Sequence, residues 1–482
     1  MRCTRLLRQF QTLKPEIKTA SFPGPLSQSI SKGISQYQED RSHQFAVDYS
    51  KSSGNYIVDA DGNTLLDAFA QVCFMGYYCL ILTNPASIAI GYNNPSLIEL
   101  AKSDEFITAA INRPALGNFP PSNWKQILED GLLKKTPKGL EQLFTAMCGS
   151  CANESAYKAA FMAYRDRHHG SGFSEEDLKS CMQNAAPGSP DYCILSFESA
   201  FHGRLFGSLS TTRSKAIHKV GVPAFDWPQV AWPSVKYPYE DHIDHNKAAE
   251  AKSLDLVKQT IREHKHKKPV AALVVEPIQS EGGDNHASAN FFKGLREITK
   301  EEGVYMIVDE VQTGFGATGS FWAHDKWQLE TPPDMVTFSK KAQAAGFYHN
   351  FEMRPSLPYR NFNTWMGDPI RALQAREMIS YIDKHGLVKH TEDVGDYIYK
   401  SLKTLSENTL IENTRGFKQG TFISFDMPTP AQRDLVVSQM RARGVNIGGC
   451  GERAVRLRPM LIFGKAEADI LLNTLHSVIH RL

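Results

Sequence analysis

The chain has 482 residues, 41% of them hydrophobic and 22% charged, with a formal net charge of +2. That length holds two or three domains, and the composition is that of a globular protein, which excludes a disordered or fibrous chain. A charge balance this close to neutral leaves no electrostatic footprint for nucleic acid or an anionic membrane.

At the N-terminus, Arg2, Arg5, Arg8 and Lys14 precede the first acid, Glu16, and Leu6, Leu7, Phe10 and Leu13 can share one helical face. An Arg-rich, acid-poor, amphipathic start is the profile of a mitochondrial targeting segment, here residues 1–20. The plain alternative is a basic tail on a cytoplasmic protein. The eight cysteines (Cys3, Cys73, Cys79, Cys148, Cys151, Cys181, Cys193 and Cys450) are sparse and unevenly spaced. A reducing compartment is therefore the expected setting.

Between Tyr37 and Asp67 short alternating runs flank Asp61-Gly62, a hairpin turn signal. No charged residue occurs from Ala68 to Ile98, but the densest apolar part, Val72 to Leu82, is far shorter than the roughly 20 residues a membrane span needs. From about residue 140 to 340, apolar runs (LEQLFTAM, YCILSF, VAALVVEP, VYMIVDE, DMVTFSK) are separated by segments of helical periodicity. This alternation predicts an α/β fold with a mostly parallel sheet, whose ligands sit beyond the carboxyl ends of the strands. From about 370 a long helix, IRALQAREMISYIDKHG, leads into a smaller α+β unit containing the strand FISFDM and helices starting near Ala431 and Ala466.

Five segments at strand ends carry the chemistry. In MCGSCANESAYKAAF, Gly149-Ser150 open a helix, and a helix N-terminus seats phosphate; a plain serine cap is the structural alternative. No GxxxxGK[ST] motif is present. In SFESAFHGR, Phe201 and His202 can stack on a planar ring and Arg204 can fork onto a carboxylate. VVEPIQSEGG places Glu276, Gln279, Ser280 and Glu281 at a strand exit. YMIVDEVQTG ends a strand in Asp309, and a carboxylate buried there needs a cationic partner. DMVTFSKKAQ ends a strand in Lys340 and Lys341. Desolvation lowers an amine's pKa and makes it a nucleophile able to form a Schiff base. If the strand persisted, the two lysines would point opposite ways, so one alone would face a cofactor.

In order, CGSCANE, AFHGR, VEPIQSEGGDNHA, VDEVQTG, TFSKK, FNTWMGDP and GGCGERAVRLRP match one pattern. From about Phe22 to the C-terminus the chain resembles the class III (ω-amino acid) aminotransferases, within them most closely the eukaryotic 4-aminobutyrate (GABA) branch. The resemblance implies a fold-type I pyridoxal-phosphate enzyme. Residues 21–100 would contribute to a small domain, 101–370 would form the large cofactor domain, and 371–482 would complete the small one. It implies that Lys340 carries the cofactor, that Asp309 holds the pyridinium nitrogen, and that Val311 and Phe201 sandwich the ring. Gln312 would bond the phenolic oxygen and Glu276 would join the cofactor set. Gly149, Ser150 and, from a partner subunit, Thr364 would hold the phosphate, which makes the enzyme a homodimer with shared sites. Arg204, Glu281, Phe362 and Arg456 would bind substrate. Arg204 would clamp the carboxylate of GABA, and Arg456 that of 2-oxoglutarate once released by Glu281. Cys148 and Cys151 would be ligands of a [2Fe–2S] cluster at the dimer interface, the alternative being two reduced thiols. Other ω-amino acids, β-alanine or ornithine, are the alternative substrates.

One segment departs from that pattern. After Gln71 the chain inserts about a dozen uncharged, apolar residues within 72–85, where the family builds a wall of the substrate pocket. Val72-Cys73 can be encoded by GTATGT, an intron donor sequence, and Leu82-Thr83 by CTAAC, a branch sequence. A retained intron accounts for such a segment; a genuine insert would reshape the pocket and could leave an inactive structural relative.

Overall fold

The computed structural model describes Phe10, residues 13–70 and residues 87–482. The basic positions Arg2, Arg5 and Arg8, the cysteines Cys3, Cys73 and Cys79, and the segment 72–85 lie outside the described residues.

The first strands, β1 (Tyr56–Val58) and β2 (Thr64–Asp67), pair antiparallel around the expected Asp61-Gly62 turn. Gly62 takes φ +83°, a conformation cheap only for glycine. On β2, Leu65 and Leu66 point to opposite faces and are both fully buried, because they enter two different cores.

The larger core surrounds a seven-stranded sheet. Its strands are β3 (Gln142–Ala146), β4 (Cys193–Phe197), β5 (Gln229–Val230), β6 (Val270–Val275), β7 (Tyr305–Asp309), β8 (Met335–Phe338) and β9 (Ala345–His349), in the order β3-β9-β8-β7-β6-β4-β5. Strands β4 to β8 run parallel, as expected, while β9 runs against both its neighbours. Every residue of β4, β6, β7 and β8 is buried, which is why these strands read as continuous apolar runs. Because β8 and β9 are antiparallel, the short link 339–344 suffices to join them, and this tight corner carries Lys340.

The smaller core lies under a second sheet of β10 (Glu412–Arg415), β11 (Ile423–Asp426), β13 (Gly448–Cys450) and β14 (Ala454–Leu457), while β12 (Val445–Asn446) pairs parallel with β2. The first and last parts of the chain are thus joined in one sheet. Arg458 N–H donates to Ala68 O at 2.8 Å, and Leu461 N–H to Ala89 O at 2.8 Å. Ser87 N–H donates to Ala70 O at 3.1 Å, so the chain resumes at Ser87 beside the point where it leaves Ala70. Among the described residues, no helix is long and apolar enough to cross a membrane.

Candidate active site

A cavity of about 640 Å³ opens at the carboxyl ends of β6, β7 and β8, the position expected for a ligand in such a sheet. Gly149, Ser150, Phe201, Glu276, Asp309, Val311, Gln312 and Lys340, drawn from five separate stretches of sequence, all line it.

Its floor is the start of the helix Gly149–His169, whose first N–H groups have no intrahelical acceptor. A Cβ on Gly149 would stand 2.8 Å from Val311 Cγ1, so only glycine lets this turn approach the valine. Gly203, at φ +137°, leaves room in the same way for the Ser150 hydroxyl, which accepts from Arg204 N–H at 3.2 Å. These features fit a phosphate group.

Asp309 is 4% exposed and held by four donors. His202 Nδ1 (2.8 Å) and Asn153 Nδ2 (2.9 Å) meet Oδ2, while Val311 N–H (3.0 Å) and Thr337 Oγ1 (3.3 Å) meet Oδ1. A buried carboxylate so fixed, with a cavity in front of it, is suited to a cationic ring nitrogen. Nearby Glu276 accepts from the N–H groups of Phe201 (2.9 Å) and Ser280 (3.2 Å). Burial, reinforced by the Asp309 charge, pushes its carboxyl well above the usual range.

Neither lysine lies on the strand. β8 stops at Phe338, and both sit on the single 3-10 turn Lys340–Ala342, so strand alternation does not separate them. Lys341 is 1% exposed and donates from Nζ to Pro459 O at 2.9 Å, away from the cavity that Lys340 lines. Lys340 takes φ +46°, a left-handed conformation that a side chain disfavours and that functional sites often retain. Burial lowers the Lys340 amine to about 8, with Glu281 opposing that shift. An amine reacts as a nucleophile when neutral. Cofactor loading of the apoenzyme should therefore speed up with pH and level off above about 8, not near 10.5. Stopped-flow absorbance against pH reads this, and a midpoint near 10 would contradict it.

Beside this group, Glu281 and Arg456 form an ion pair of 2.5 Å, 0% and 1% exposed at their side chains. Burial works against both charges, but each holds the other in its ionised form. Arg204 is exposed at the mouth, its guanidinium 5.8 Å from the Phe201 ring centre, within the field of Glu281. Phe362 and Thr364 do not line the cavity of their own chain; Phe362 packs on Tyr359, and Thr364 is exposed.

Cys148 and Cys151 are hydrogen-bonded, Sγ to Sγ 3.3 Å, and this bond draws the Cys148 thiol down to about 6. They bring two thiols together, and among the described residues no group of three or more His, Cys, Asp and Glu is placed to hold a metal. Sequence reading passed over Asn153, Arg371 and Arg458. Asn153 lies inside a helix and is matched to Asp309 only by the fold, Arg371 joins the cavity lining, and Arg458 reaches Gln312.

A helix N-terminus, a buried aspartate and a desolvated lysine around one cavity have the chemistry a pyridoxal-phosphate site requires, and comparison with known proteins places the chain in a class that uses this cofactor. The profile described as "Aminotransferase class-III" matches residues 37–479, and the chain belongs to that family of pyridoxal-phosphate-dependent transaminases. It is 57% identical over 478 residues to a 4-aminobutyrate aminotransferase of Mycosarcoma maydis, covering 97% of this chain and 91% of that one. It is 45% identical to the mitochondrial 4-aminobutyrate aminotransferase of Sus scrofa, covering 96% and 91%. Among solved structures it is similar to a lysine aminotransferase of M. tuberculosis, with a TM-score of 0.79, 28% identity, and 94% and 99% of the two chains covered.

Proposed function

We propose that the chain transfers the amino group of 4-aminobutyrate to 2-oxoglutarate in two half-reactions, giving succinate semialdehyde and then glutamate. The observation that carries this reading is the closed Glu281–Arg456 pair within the field of Arg204. In the first half-reaction Arg204 binds the carboxylate of GABA while Glu281 neutralises Arg456. In the second, Glu281 swings away and Arg456 takes the α-carboxylate of 2-oxoglutarate. Breaking a buried ion pair without replacement costs about 3–5 kcal/mol, so Arg456 needs an anion in both.

Pyridoxal phosphate, when bound, supplies the electron sink that makes the substrate's C–H acidic. Gly149 and Ser150 would hold its phosphate. Asp309 would fix the ring nitrogen, Val311 and Phe201 would flank the ring, Gln312 would donate to the phenolic oxygen, and Glu276 would complete the wall. Lys340 Nζ would hold the cofactor and would be the base that moves a proton at the substrate carbon. Thr364 reaches the phosphate of a partner subunit, so the working unit is a homodimer, and Phe362 serves the partner's pocket in the same way. A [2Fe–2S] cluster takes four ligands; Cys148 and Cys151 would supply two, the partner the others, and iron analysis of the purified dimer tests for it. The basic N-terminus directs the protein to the mitochondrial matrix, which a fluorescent fusion with and without residues 1–20 tests.

A panel of amine donors with spectral detection tests the main reading: GABA should outrun β-alanine and ornithine, and preference for either rival would replace it. One observation favours a second reading, loss of activity through the 72–85 insert. Ser87 and Ile88, just after it, line the cavity. The same panel run on a chain lacking residues 72–85 separates the two, because activity that appears only after deletion identifies the full-length chain as disabled.

A further inference from the structure

Gln312 is only 7% exposed and faces the cavity, and its carboxamide has a donating and an accepting end. Which end faces inward decides whether it supports or repels the oxygen in front of it. Arg458 settles that choice. Its Nε donates to Gln312 Oε1 at 3.2 Å. A guanidinium carries only donors, so the atom it touches must be the carbonyl oxygen, and the amide nitrogen turns the other way.

Arg458 is itself unable to turn. It is 2% exposed; its Nη2 pairs with Asp284, its Nη1 donates to Leu457 O at 2.8 Å, and its plane lies 3.2 Å from the centre of the Phe422 ring. Asp284 is also fully buried, so the pair cannot exchange with solvent. Asp284, Arg458 and Gln312 form a continuous, desolvated relay of position. Arg456, two residues earlier at the end of β14, makes the pair with Glu281. One strand end thus serves both the substrate anion site and the cofactor site.

The geometry points to Arg458 as a positioning residue that locks the Gln312 amide with its N–H directed at the phenolic oxygen of the cofactor. This rests on the reading that Gln312 bonds that oxygen. The bound cofactor titrates through a proton shared between the Lys340-linked nitrogen and the phenolic oxygen. When that proton leaves, the oxygen holds uncompensated negative charge, which the Gln312 N–H stabilises. Losing the oriented donor therefore raises the titration midpoint. The charged groups facing this centre are Lys340, Asp309 and Glu276 on the sheet side, Glu281 and Arg456 beside Lys340, Arg204 and Arg371 on the cavity wall, and Arg458, Asp284 and Lys341 behind Gln312.

The test is the visible absorbance of the loaded enzyme titrated against pH. Arg458→Lys keeps the charge beside Asp284 but lacks the planar fork that also reaches Gln312. It should raise the midpoint by about one pH unit, the size expected for one hydrogen bond to a charged oxygen. Gln312→Leu should raise it by a similar amount. Arg458→Lys added to Gln312→Leu should add nothing, because the first acts through the second. A midpoint that moves in Gln312→Leu but not in Arg458→Lys overturns the inference and leaves the Gln312 reading standing. A midpoint unmoved in Gln312→Leu overturns that reading instead. Should Arg458→Lys not fold, the pair Arg458→Met with Asp284→Asn leaves no buried charge unmatched and is read in the same way.

Discussion

Lys340→Ala is expected to reduce kcat by at least about 10⁴-fold, since general base catalysis alone contributes about 10²–10⁴ and the covalent anchor is lost with it. The purified variant should also lack the visible band of lysine-bound cofactor. The informative control is its neighbour. Lys341 is bonded to Pro459 O and buried behind the site, with its amine lowered to about 7 by burial and the Arg458 charge. Lys341→Met removes a buried amine but leaves one carbonyl without its donor. Those two effects oppose each other, and the net change in stability should stay within about 3 kcal/mol. The cofactor band and turnover within about tenfold should survive. Full activity in Lys340→Ala, or loss of the band in Lys341→Met alone, would reverse the assignment.

Arg456→Gln should slow the 2-oxoglutarate half-reaction by at least about 30-fold while GABA's half-reaction stays within about tenfold. Truncating one member of a buried, hydrogen-bonded charge pair costs about 2–5 kcal/mol, and only the second half-reaction needs Arg456 on substrate. Single-turnover absorbance separates the two steps; equal slowing of both would refute the switch. The variant also strands Glu281 in a fully buried setting. In the wild type Arg456 offsets the effect of burial and holds the Glu281 carboxyl below its usual value. Without Arg456, burial raises it, and the folded state then takes up a proton more readily than the unfolded one. The variant should accordingly regain stability as pH falls, in thermal melts from pH 8 to 5, whereas the Glu281–Arg456 contribution in the wild type is lost on acidification.

The runs VAALVVEP and YMIVDE were legible as β6 and β7 because strands buried on both faces are apolar throughout, and the acids at their carboxyl ends, Glu276 just past β6 and Asp309 closing β7, fall at the cavity because ligands sit beyond those ends. Legibility ended where partners are remote in sequence. Nothing local to Asn153 reveals that its amide meets Asp309, and nothing local to Arg458 reveals Gln312. The reversed direction of β9 is equally silent in AGFYH, since pairing sense depends on its neighbours β3 and β8. The choice between the lysines was open on strand geometry, and the carbonyl that holds Lys341 away from the cavity, Pro459 O, lies more than a hundred residues along the chain.

The hydrogen bond from Ser87 N–H to Ala70 O bears on the gene as well as the protein. If residues 72–85 are excised, Ala70-Gln71-Ala86-Ser87 become four consecutive residues, and that same bond becomes the i to i+3 bond that closes a β-turn. Excision would keep this bond, and shortening the loop lowers its closure cost by about 2 kcal/mol. The short flank-to-flank geometry is thus what a retained intron would leave behind, and a mature message that contains the codons for Val72 to Pro85 would refute that origin.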